Sequence, residues 1–156
     1  MTDATPQPGD RMPSLDPAPE VVARLDALSA AAREAPQDQA TMAALWRAAL
    51  GLERWILIAR GSSEEPRPFA ATFPPGPLLL VFSTAERAQV GGMAAGLSRE
   101  DASRLIATPL PAAIEWAASF QAAGIVGVAL DHGTTGAWTP LQNLVPMRDW
   151  FAANPG

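Results

Sequence analysis

Two short runs concentrate the residues whose types and spacing could do chemistry. In Leu78-Leu79-Leu80-Val81-Phe82-Ser83-Thr84-Ala85-Glu86-Arg87 an apolar stretch of strand length leads into a helix start with an acid and a base in its first turn. A helix N-terminus at a strand end offers unpaired backbone N–H groups and a positive dipole end to an anion. Ser83, Thr84 and Arg87 are placed to assist. The second run, Asp131-His132-Gly133-Thr134-Thr135-Gly136, puts the single histidine just past another apolar stretch. Together Ser83, Thr84, Arg87 and His132 suit a small anionic metabolite. Plainer readings stand beside this one. Ser83 and Glu86 are spaced as a capping box, and Ser98 and Asp101 repeat the spacing with a shorter acid. The glycines around His132 suit a turn, and Gly91, Gly92 and Gly96 mark where the helix after Thr84 stops.

Several reaction classes lack their residues. With no cysteine and one histidine, the chain has no thiol nucleophile, thiolate site or histidine cluster for a metal. No serine is visibly set against a base and an orienting acid, and no glycine-rich loop could cradle phosphates. Glu64-Glu65 falls in a polar loop and Glu100-Asp101 in a helix's first turn, where acids favour the dipole. No catalytic residue, cofactor or metal is therefore expected, and the balance leans away from an enzyme. The net charge is -5, with 16 acids against 11 bases, all of them arginine and scattered along the chain. Nucleic acid and anionic membrane are poor partners for such a surface, because phosphate binding needs clustered cations. The absence of lysine, cysteine and tyrosine beside abundant alanine and proline reads as the coding bias of a GC-rich genome. Met1 to Glu20 holds five prolines and four acids without an apolar run, unlike a signal peptide. A cytoplasmic protein is expected.

The elements that must position these residues follow from periodicity. Residues 1–16 are expected to be a disordered tail and 17–156 a single domain. A helix from Pro19 to about Ala35 carries Val21, Leu25, Leu28 and Ala32 on one face. A second, of about fifteen residues, ends near Arg54 with Leu45, Ala48, Ala49 and Leu52 as its stripe and Trp46 at the margin. Strands are expected over Trp55 to Ala59, Phe69 to Phe73, Leu78 to Phe82 and Ile125 to Leu130, with an edge strand between Ala137 and Val145. Helices are expected over Thr84 to Val90, Arg99 to Ala107 and Pro111 to Ala123, with Pro146 opening a short last one. The forty or so residues between Phe82 and Ile125 permit a parallel crossover. The expected class is α/β, with α+β the variant: one mixed sheet of about four to five strands with helices packed on it, preceded by N-terminal helices.

Trp138, Trp150 and Phe151 sit in a proline-interrupted tail with few ways to bury three large rings, so an exposed aromatic cluster there would mark a partner site.

The order of elements suggests a family. Leu45-Trp46-Arg47-Ala48-Ala49-Leu50, two early strands, the strand ending in Phe82-Ser83-Thr84-Ala85-Glu86-Arg87, a helical stretch, and Gly124 to Leu130 ending in a turn resemble the SseB N-terminal-domain family over residues 40–148. Where members commonly have asparagine and a proline-glycine turn after the late strand, this chain has Asp131-His132-Gly133. The resemblance implies a bacterial α/β domain without an established catalytic set. The expected function is a non-catalytic protein-interaction or regulatory domain, with a protein partner or self-association. The alternative is an anionic-metabolite binder or weak enzyme at Ser83, Arg87 and His132.

Overall fold

The structure is a computed structural model and describes residues 16–62 and 64–155. The expected tail lies outside the described residues except for Asp16. Helix α1 spans Pro19–Glu34, with proline in its first turn, where a missing N–H costs nothing, and Leu25, Ser29 and Ala32 buried. Helix α2, Gln39–Leu50, starts at the Asp38 cap, whose carboxylate accepts from Ala40 N at 3.1 Å and Thr41 Oγ1 at 2.7 Å. Those hydrogen bonds, the Thr41 hydroxyl first, hold the Asp38 carboxyl below its ordinary value. The helix stops at Gly51, short of Arg54. Trp46, expected at its margin, is 2% exposed and belongs to the core.

The strands are β1 (Arg54–Gly61), β2 (Pro66–Pro68), β3 (Ala70–Phe73), β4 (Gly76–Val81), β5 (Leu105–Pro109), β6 (Gly127–Leu130) and β7 (Ala137–Pro140). They form two sheets rather than the single sheet expected: an antiparallel β2-β1-β5 and a mixed β3-β4-β6-β7. One bridge joins the sheets, Ile56 N to Phe82 O at 3.0 Å and Phe82 N to Ile56 O at 2.8 Å. The antiparallel sheet gains a strand where a helix was expected. The helix expected over Arg99 to Ala107 ends after the four residues of α4 (Arg99–Ala102), and Leu105–Pro109 pairs along β1 instead. Strands β4 and β6 do run parallel, from Leu78 opposite Gly127 to Val81 opposite Leu130.

Side chains alternate across the strands and divide the core into two layers. Trp55, Leu57, Leu79, Val81, Val128 and Leu130 join α1, α2 and the C-terminal helices on one side. Ile56, Ile58, Leu78, Leu80 and Ala129 meet Ala88 of α3 (Ala85–Ala94) on the other. Helix α3 runs through Gly91 and Gly92 rather than stopping there. A Cβ on Gly91 would collide with the Phe82 ring and the His132 carbonyl, and one on Gly92 would lie 2.6 Å from Ile58 Cδ1. The two glycines let α3 lie against the sheet. Gly96, with φ +103°, does follow the helix end.

Helix α5 (Ala112–Ala118) tightens into a 3-10 turn over Ser119–Ala123. Strand β7 ends at Pro140, earlier than expected, and α6 covers Leu144–Ala153. Pro146 therefore falls inside the first turn of α6, where the ring is tolerated.

Candidate functional site

The residues read as an anion site are divided by the fold. Ser83 is 1% exposed and is not the cap of α3; Thr84 is, its Oγ1 accepting from Arg87 N at 3.1 Å. Ser83 turns inward because the buried Asp131 carboxylate takes both of its donors, backbone N and Oγ, at 2.8 Å each. Arg87 donates to the same carboxylate at 2.9 Å and forms two 2.8 Å bonds to Asp26 on α1. The hydrogen bond to Asp26 chiefly, with Asp131 adding to it against the opposing effect of burial, holds the Arg87 guanidinium protonated even beyond its ordinary range. One cation is thus shared between two carboxylates. The arrangement leaves Arg87 no charge to offer an anionic ligand, and makes it a latch between α1, α3 and the ends of β4 and β6. Asp131 adopts φ 52°, a left-handed conformation that aspartate tolerates, and its carbonyl accepts from Thr134, Thr135 and Gly136 N.

His132 departs from this network. Its ring meets Phe73 edge to face with centroids 4.9 Å apart. It lines a hollow of about 330 Å³ with Phe73, Pro74, Leu78 and Trp138, and a second of about 680 Å³ beside Ala94 and Gly96. Neither hollow is lined by Ser83, Thr84 or Arg87. Among the described residues no group of three or more histidine, cysteine or acidic side chains could hold a metal ion.

The three C-terminal aromatics also separate. Trp138 lies on β7 in the hollow of His132, 43% exposed. Trp150 and Phe151 lie on α6 with their rings edge to face at 5.7 Å. With Met147 they form the α6 wall of a groove of about 740 Å³, whose α2 wall includes Met42 and Trp46 and whose lining also takes in Pro36 and Pro146. Trp150 is 55% exposed. None of the side chains lining the groove is charged, and the polar ones are Gln37, Gln39, Thr139 and Asn143. Trp46 Nε1 is buried without an acceptor among the described residues, whereas Trp55 Nε1 donates to Ala49 O at 3.0 Å. At the rim, the Arg47 guanidinium stacks 4.6 Å from the Phe151 centroid and 5.9 Å from that of Trp150, while Nη2 donates to Asn154 O at 2.8 Å.

Trp150 and Phe151, expected in a partner site, line this groove; Trp46, Met42 and Met147, which line it too, were not expected there. Helical spacing held the missing signal, since Met42 and Trp46 are four apart and Met147 precedes Trp150 and Phe151 by three and four. Volume and chemistry place this groove within the range of ligand sites, which are mostly apolar with few polar groups.

No family model, curated protein or solved structure matches the chain. No helix among the described residues is long and apolar enough to cross a membrane.

Proposed function

We propose that this chain is a non-catalytic bacterial interaction or regulatory domain of SseB-like type, working in the cytoplasm, and that it binds a protein partner through the groove between α2 and α6. The observation that supports it is a tryptophan 55% exposed, paired with Phe151 over an uncharged groove of about 740 Å³. Exposed aromatic surface costs solvation and, where it clusters over a pocket, is the usual anchor of a protein interface. Met42 and Met147 add side chains that reshape to fit an incoming apolar group. The kinship rests on the run from Leu80 to Arg87 and the order of elements. Trp138 forms a separate patch.

The test is enrichment of partners from the source cell by wild type and by the Trp150→Ala/Phe151→Ala double variant. The reading predicts a discrete partner lost from the variant while it stays folded, with what destabilisation there is coming from Phe151, which packs against the core, rather than from the exposed Trp150. A folded variant that retains every partner sinks it.

A further inference from the structure

We propose that the groove is built for an acidic, apolar segment of its partner, whose large apolar side chains fill the space between α2 and α6 and whose carboxylate docks on Arg47. The inference rests on the groove reading and adds the partner's chemistry. Arg60, Arg87 and Arg148 each hold a carboxylate, at 3.2, 2.8 and 3.0 Å, whereas Arg33 and Arg104 donate to backbone carbonyls and lie on no aromatic ring of the groove. Among the described residues Arg47 holds none; its partners are two aromatic faces and one backbone carbonyl, all uncharged. A guanidinium has five N–H donors, and the single bond to Asn154 O leaves most of them unused. Its place over the Phe151 ring holds the group beside the groove, where its unused donors can meet an incoming carboxylate. Arg47 is the sole charged side chain of α2, and Arg148 on α6 is already engaged by Glu115 and Asp149.

The two ends of α2 beside the groove also carry opposite charges. Asp38 caps the start of α2 beside Gln37 and Gln39, nine residues from Arg47, a rise of about 13 Å along the helix. An acid on the partner is attracted toward Arg47 and repelled from Asp38, which orients the segment along the helix. Trp46 Nε1, the buried donor without an acceptor, lies on a ring that lines the same groove.

The test uses the full chain and a phage-displayed library of random dodecapeptides, with counter-selection on Trp150→Ala. The expected consensus combines large apolar residues with aspartate or glutamate. Replacing that acid by its amide should weaken binding to wild type roughly tenfold, as loss of a hydrogen bond to a charged group does. On Arg47→Gln the same replacement should change binding less than twofold, and Arg47→Glu should favour a lysine at that peptide position. Where Arg47→Gln does not fold, Arg47→Lys serves, retaining the acid preference at reduced size. A consensus without an acid, or equal loss on wild type and Arg47→Gln, overturns the inference and leaves the groove standing. Absence of any binder dependent on Trp150 overturns the groove reading itself. Sedimentation that shows a wild-type dimer and a monomeric Trp150→Ala assigns the groove to a second copy, and overturns the inference as well.

Discussion

At the scale of single residues, the best-defined chemistry in the molecule is structural. Asp131 is 1% exposed and holds both donors of Ser83 together with one bond from Arg87. Removing Asp131 strands both Ser83 donors and one side of Arg87 in the interior, which costs about 3–5 kcal/mol; removing Arg87, half-buried and with Ser83 still holding the carboxylate, costs less. Asp26 is different, since its side chain is 41% exposed and water replaces much of what it supplies. Urea unfolding should therefore rank Asp131→Ala as most destabilised, Arg87→Ala next, and Asp26→Ala as changed by about 1 kcal/mol or less. Equal losses for all three would mean that Asp26 is as essential as the buried carboxylate, against this account. The sequence placed Ser83, Arg87 and Asp131 at element ends, where a ligand site was the natural thought. It did not show that Asp131 would turn inward, because that depends on a left-handed backbone at one residue and on α1 lying close enough for Asp26 to share the arginine.

At the scale of elements, α3 shows how local and tertiary preferences compete. Two adjacent glycines weaken a helix by about 1 kcal/mol each relative to alanine, which made Gly91 and Gly92 look like a terminus. The helix continues because its close approach to Phe82, Ile58 and the Asp131–Gly136 turn needs positions without a Cβ. Gly91→Ala improves helix propensity but forces a methyl group into a ring and a backbone carbonyl. Overpacking of this kind costs about 1–3 kcal/mol, so the variant should lose stability in chemical denaturation despite the better helix former. A stabilised Gly91→Ala would show that α3 moves away from the sheet without penalty. Strand β5 is the converse case. Its Leu105-Ile106-Ala107 continues an alanine-containing helical pattern, and only the partner β1, some fifty residues earlier in the chain, makes it a strand. Strongly apolar runs such as Leu78 to Phe82 were legible because burial on both faces leaves no alternative pattern.

At the scale of the whole molecule, the apolar residues divide into two layers across the strands, and the groove between α2 and α6 opens from the margin of the first, where Trp46 is buried and Trp150 faces solvent. The class of fold and most element positions followed from hydrophobic period. The groove did not, because its two walls are separated by about a hundred residues and meet only after α6 packs onto α2 and α5. Scattered arginines over a net charge of -5 gave no hint that Arg47 would be the one at its rim. The most direct measurement is site-specific photocross-linking in the source cell, with a benzophenone side chain at position 150 and, as a control, at Val90, which is exposed on α3 away from the groove. The account predicts a discrete protein adduct from position 150, mapped to an acidic, apolar segment and missing from position 90. No adduct at 150, or the same adducts from both positions, would contradict it.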